Sequence, residues 1–402
     1  MKKILLGTTA LVSAGLIAGP ALASDPLTVT VGGTVTAGFY VIDADNLPAA
    51  AGGTAFDDTA VKLVARNIDI RAEGTLDNGM VAGVLATLSL SDDWNNFAGN
   101  NNGAKFRELF AYLEGGFGRF EIGGTDGSAF KMHYTSPWFV PGNGLDSPNI
   151  LNASFGNIPG TTTTTINIGG FPTTLTVNTT SSLGFRHTTL SLMAADANKV
   201  TYFTPRFAGF QLGLSYTPNT DFNGPNPANR AGLSKTNSSI ENVVEVALNY
   251  AGSFGGLDLG VDGFYVTGDA PLAASSDPEE IGFGANLGFG GFTLGGAWYQ
   301  SEDLLGRPPV SILGTTGTKE EVWTAGLSYG TGPWTVGVAY LSDEISKNAA
   351  QDLSVESWQT GGGYNLGSGV DVGLDLQMSQ VDGGALGDWD SQSAGLVLSV
   401  SF

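Results

Sequence analysis

Acid–base, nucleophilic and metal chemistry rest mostly on histidine and cysteine, and this chain of 402 residues has two histidines and no cysteine. His133 stands close to Asp126 and Ser128, which together have the residue types of an acyl-transfer triad. They are too near one another in sequence to imply one, and no nucleophile elbow accompanies them. Two histidines do not make a transition-metal site, and without cysteine neither a thiolate site nor a disulfide can form. The chain therefore reads as neither an enzyme nor a holder of a cofactor or metal.

What remains is charge. Asp and Glu number 38 against 17 Lys and Arg, a formal charge of −21, which disfavours nucleic acid as a partner. Many of these acids alternate with apolar residues. Asp258 and Asp262 alternate with Leu257, Leu259, Val261 and Tyr265; Asp371, Asp375, Gln377 and Ser379 alternate with Val370, Val372, Leu374, Leu376 and Met378. Such a segment is a strand with one apolar and one polar face. A carboxylate in hydrocarbon is costly, so if the apolar face meets lipid the polar face must line water.

About sixteen segments share this period, from 27–41 to 393–402, the fifth and sixth (119–124 and 199–204) being the weakest. Short Gly-rich turns such as Gly290-Gly291 alternate with long loops rich in Asp, Asn, Ser, Thr and Pro. Aromatic pairs on the apolar face, Phe210 and Tyr216, Phe292 and Trp298, Trp334 and Tyr340, and Trp323 and Tyr329, lie six residues apart near opposite strand ends. Six residues span ~20 Å, the spacing of two interfacial belts on a tilted strand. The pattern predicts an all-β transmembrane antiparallel barrel of sixteen strands, with long extracellular loops and with short turns and both termini on the periplasmic side. No later segment approaches the length of a spanning helix. A soluble sandwich would bury the apolar face in a dry core, but it gives core aromatics no reason to keep to strand ends.

Lys2 and Lys3, the apolar run 4–17 and the small-x-small site Ala21-Leu22-Ala23 predict a signal peptide over 1–23, cleaved to leave a barrel domain over 24–402. Glycine, at 60 residues, is about twice its usual ~7% and lies within strands as well as turns, which suits tight bends and an open lumen. Asp43, Asp45, Asp57, Asp58, Glu279 and Glu280 read as a solvated exterior. One connection, 125–198, is out of scale and is expected to be functional; its Thr-rich part around Gly169-Gly170 reads as a hairpin.

Several stretches resemble the general porins of Gram-negative outer membranes. Arg71-Ala72-Glu73-Gly74-Thr75-Leu76-Asp77-Asn78-Gly79 looks like that family's second strand and turn. Arg107-Glu108-Leu109-Phe110-Ala111-Tyr112-Leu113 through Gly116-Phe117-Gly118 to Gly123 is similar to its fourth and fifth strands. Tyr202-Phe203-Thr204-Pro205-Arg206-Phe207-Ala208-Gly209-Phe210, ending in Ser215-Tyr216, resembles the pair after its constriction loop. The resemblance implies a homotrimer of sixteen-stranded pores, each narrowed by an inward-folded third loop at an eyelet where wall bases face loop acids. Arg71 and Arg107 match the wall positions, and alternation is expected to turn both inward; Asp126 and Asp146 match the loop acids by location. Gly124 and Ala195 stand where further wall arginines are expected, so Arg186 or Lys199 would substitute. Terminal Phe402 matches the family's assembly signal, which implies the barrel-assembly machinery as a partner, with outer-membrane lipid and lipopolysaccharide around the barrel. The expected function is passive diffusion of small hydrophilic solutes and ions, weakly cation-selective. A solute-specific channel for a sugar or anion is the alternative, with Tyr40 and Tyr299 as inward aromatics, and a barrel enzyme is a distant third.

Overall fold

The computed structural model describes residues 27–45, 58–89, 105–148, 150, 157–168, 171–182, 185–220, 240–270, 276–303, 319–346, 352–383 and 387–402. The expected signal peptide and Asp57 lie outside them.

The chain forms β1 (Thr28–Asp45), β2 (Thr59–Thr75), β3 (Val81–Ser89), β4 (Lys105–Gly115), β5 (Gly118–Gly124), α1 (Ser128–Lys131), β6 (Asn157–Ile168), β7 (Phe171–Ser182), β8 (Asn198–Phe203), β9 (Phe210–Asn219), β10 (Glu241–Phe254), β11 (Leu257–Asp269), β12 (Glu279–Phe289), β13 (Phe292–Glu302), β14 (Lys319–Thr331), β15 (Trp334–Ser346), β16 (Leu353–Gly367), β17 (Val370–Asp382) and β18 (Asp388–Ser401). All but β6 and β7 close into one antiparallel barrel of sixteen strands; those two pair with each other as the expected hairpin. β5 pairs directly with β8, so the whole third loop is an insertion between wall neighbours. Closure comes from β1 against β18, and the last residue completes it: Phe402 N–H donates to Gly33 O and Gly33 N–H to Phe402 O, each at 3.0 Å.

Most strands run further on the long-loop side than their apolar alternation does, as β15 continues through Asp343 and Glu344 to Ser346. Ladder hydrogen bonds need no apolar side chain, so pairing continues past the hydrocarbon boundary where the sequence pattern stops. At the short turns, Gly255-Gly256 and Gly290-Gly291 have φ of 59° and 88°, and 59° and 91°. Two successive positive φ values are the two-residue hairpin turn that matches strand twist, and glycine adopts them without a Cβ clash.

The barrel is apolar outside. Leu396, Leu398, Leu374, Leu294 and Val338 are exposed, and aromatics form two belts. Phe210 packs on Tyr250, Phe292 on Tyr329 and Trp334 on Tyr364 near the short turns; Phe283 packs on Trp298, and Tyr340 on both Trp323 and Trp358, near the other end. The hydrophobic core sits inside. Met132, Phe139, Val140, Leu145 and Met193 of the third loop pack on inward-facing Val243, Phe264, Val266, Val322, Leu341 and Val397.

Candidate pore constriction

The third loop lies along the inner wall and is fixed there by polar contacts as well as apolar ones. Ser128 N–H donates to Ser215 Oγ at 2.8 Å and Ala129 N–H to Glu245 Oε2 at 3.0 Å. Lys131 in α1 pairs with Glu121 of β5 at 2.5 Å and stands over the Phe110 ring. Asp262 takes His133 Nδ1 at 2.8 Å and Tyr134 N–H at 2.7 Å. Asp375 accepts from Tyr40, Asn143, Gln359 and Gln377. Glycines make room for this contact: a Cβ on Gly284 would meet Tyr134 O at 2.1 Å, and one on Gly337 would meet the Phe139 ring at 2.3 Å. The abundance of glycine within the strands thus gives the loop a bed, where the sequence suggested bends and an open lumen.

Space remains on the opposite wall. An opening is lined by Thr30 and Gly32 of β1, Asn67, Asp69 and Arg71 of β2, Leu85 and Thr87 of β3, and Arg107 and Glu108 of β4. Asp69, Arg71 and Glu73 face inward by alternation and stand beside Thr87, Leu85 and Gly83 of β3. Arg107 arrives differently. Glu108 pairs with Thr87 and Phe106 with Leu88, so Arg107 is the extra residue of a β-bulge. Strict alternation would put it on the lipid side with Leu109 and Ala111; the bulge turns it into the lumen.

The Arg107 guanidinium, 39% exposed, then lies 3.2 Å from Glu108, 3.7 Å from Asp126 and 3.4 Å from Asp196. Burial raises the Asp126 carboxyl above the usual range, and Arg107 partly offsets that. Asp196 is pushed up to about 7, first by burial and then by the Asp126 charge. Thr125 Oγ1 donates to Glu108 at 2.9 Å and Thr87 Oγ1 to Asp69 at 2.7 Å, which orients both carboxylates.

A family model described as Gram-negative porin matches residues 7–384 of the chain, nearly its whole length. The chain belongs to the Gram-negative porin family. None of the curated proteins compared with it matches. Among solved structures, this porin is similar to the anion-selective porin from Comamonas acidovorans (18% identity, 94% of this chain and 100% of that one, TM-score 0.56). It is also similar to in-vitro folded OmpT of Vibrio cholerae in trimer form (13%, 94% and 100%, 0.55) and the outer-membrane channel DcaP of Acinetobacter baumannii (14%, 94% and 98%, 0.56). At these identities the likeness is one of fold. Family and fold make this an outer-membrane β-barrel and point to a channel rather than an enzyme.

Of the residues read from the porin resemblance, Arg71, Arg107 and Asp126 come together at the opening, whereas three others lie buried away from water. Asp146 accepts from Thr188 Oγ1, Thr189 N–H and Thr189 Oγ1 at 2.6–2.9 Å and so ties the outgoing limb of the loop to the returning one. Arg186 pairs with Glu280 at 3.1 Å and Glu320 at 3.8 Å, and its guanidinium stacks 4.2 Å above the Tyr299 ring. Its backbone N–H also donates to Asp343 at 2.8 Å. Glu280, read from sequence as solvated exterior, is thus buried. Lys199 donates its ammonium protons to the carbonyls of Thr125, Ala195 and Ala197, so it staples the two ends of the loop together.

Asp196 escaped the sequence reading because it sits one residue beyond the position where a basic residue was sought. Tyr40 and Tyr299 do face inward, yet both are covered by the loop. The string Gly326-Leu327-Ser328-Tyr329-Gly330 has the letters of a nucleophile elbow but runs as extended strand within β14, with Ser328 paired to Gly337.

Proposed function

We propose that this porin is a passive pore through which small hydrophilic solutes and ions diffuse, exported with a leader over 1–23 and assembled as a homotrimer. The observation that carries the reading is the opening along the inner wall of β1–β4, polar and charged in its lining, at whose edge Arg107 meets Asp126 and Asp196 of the third loop. Arg71, Arg107 and Asp126 are its constriction residues, joined by Asp69, Glu108 and Asp196. Four carboxylates against two guanidinium groups favour cations weakly, because water and salt screen them. Trimer assembly draws support from the trimeric OmpT among the fold relatives. An anion-selective relative at 18% identity carries no argument about selectivity here. A sugar path is the weaker reading, since the inward tyrosines that would stack a sugar are covered. The barrel-assembly machinery, outer-membrane lipid and lipopolysaccharide are the partners of insertion and residence.

Liposome swelling tests the function. Vesicles carrying the purified protein should swell in small sugars at rates falling smoothly with solute size. Uptake of one sugar or anion alone would replace diffusion with a specific channel, and no swelling in any solute would remove the pore reading.

A further inference from the structure

Three carboxylates and one guanidinium meet at the edge of the opening, and their number is the clue. Glu108, Asp126 and Asp196 each place an oxygen within 4.8 Å of the others. Arg107 lies between them at 3.2–3.7 Å, in the space a metal ion would need. Three negative charges around one positive charge, partly withdrawn from water, do not all stay ionised; such a group shares a proton.

The three are not equivalent as places to hold it. Glu108 accepts hydrogen bonds from Thr125 Oγ1 and Asp126 N–H, which favour its charged form. Burial favours the neutral form of Asp126, with 8% of its side chain exposed, but the charges of Arg107, Lys199 and Lys131 favour its ionised form. Asp196 is 23% exposed, so water reaches it, and its Oδ1 faces Arg107 without a hydrogen bond. The chain also holds Asp196 deliberately. It is the third residue of a turn closed by Ala197 N–H to Ala194 O at 2.9 Å, with Ala195 at a φ of 31°. Lys199 fixes the carbonyls on either side of it. A left-handed alanine is strained, and the staple maintains that conformation.

We infer that Asp196 is a selectivity-determining residue of this pore, a carboxyl that gains and loses a proton beside Arg107 and so sets the net charge of the constriction. Lys199 is the positioning residue that presents it. The inference rests on the pore reading above. With Asp196 protonated, the cluster of Arg107, Glu108, Asp126 and Asp196 carries −1; with Asp196 ionised it carries −2. The other charges facing the cluster are Lys199 of β8, Lys131 of α1, Glu245 of β10 and Asp69 of β2. Burial and the Asp126 charge push the Asp196 carboxyl up to about 7.

The test is the reversal potential of the purified porin in planar bilayers under a KCl gradient, from pH 5 to 9, for the natural protein, Asp196→Asn and Asp196→Glu. The cation-to-anion permeability ratio of the natural protein should rise roughly two- to fivefold with a midpoint near neutral pH, the effect of one added charge a few ångströms from the ion path. Asp196→Asn should stay at the low-pH ratio throughout, while Asp196→Glu keeps a transition. Unboiled gel mobility and open-channel conductance at pH 7 verify that each variant is assembled. A flat curve in the natural protein, or an unchanged transition in Asp196→Asn, overturns the inference while leaving the pore reading intact. Channels absent from the natural protein overturn both.

Discussion

In the proposed constriction Arg107 is the central cation, because one guanidinium faces Glu108, Asp126 and Asp196. Replacing it with Gln leaves those carboxylates facing the solute path. The loss of one charge at ~4 Å in water is worth about 1 kcal/mol, or roughly fivefold in local cation concentration before screening. Arg107→Gln should therefore shift the reversal potential towards cations in dilute salt and much less in molar salt; a shift towards anions would show that Arg107 does not face the path. Both arginines were visible in the sequence because of the motifs around them. Arg71 follows simple alternation, but Arg107 reaches the lumen through a bulge, and a bulge leaves no mark in residue period. Asp146 and Asp196 show the limit of location as an argument: both are loop acids, and only hydrogen-bond partners tell the one that ties the loop from the one that faces Arg107.

At the scale of the element, the third loop behaves as a plug with its own core and clamps. Arg186→Met would leave Glu280 and Glu320 buried without their cation, a loss of about 3–5 kcal/mol of docking free energy. The loop should then become a site of protease cleavage and the open channel noisier, with barrel heat stability nearly unchanged; a quiet channel and an uncut loop would count against the clamp. Gly284→Val would force the loop away from the wall at Tyr134 and change conductance in the same assay.

Acid should weaken the contribution of His187 to docking. Burial pushes the His187 imidazole down to about 3, while the undocked loop protonates it near 6.5. Docking from this group is complete above about pH 6.5 and falls by up to about 1.4 kcal/mol per pH unit as pH drops towards 3. Between pH 7 and 4 the natural protein should therefore lose more of its protection against protease than His187→Asn does, since Asn tolerates the positive φ of 54° found there and does not titrate. None of these contacts was legible beforehand. The wall acids Glu245, Asp262 and Asp375 read as lumen charge, yet each is occupied by a loop donor, a partnership set only by how 125–197 folds.

For the molecule as a whole, the fold was plain in the sequence because the bilayer imposes a strict pattern: apolar every second residue, aromatics at two heights, short turns alternating with long loops. Even β5 and β8, the weakest readings, stand where expected, while strand ends did not, because pairing outlasts hydrophobicity. Inward apolar residues such as Val243, Val266, Val322, Leu341 and Val397 break that pattern and are a trace of an internal core. The lipid face is testable directly. Leu396→Arg, mid-strand and exposed in β18, should cost about 2–4 kcal/mol of folding free energy in bilayers, measured by urea titration, whereas the same change at Asn67, which lines the opening, should cost far less. The measurement closest to the central claim is single-channel conductance of the purified protein in planar bilayers. Large ohmic steps in groups of three are expected, slightly cation-selective at neutral pH. A bilayer that stays silent with correctly folded barrel inserted, or steps blocked fully by one solute, would contradict it.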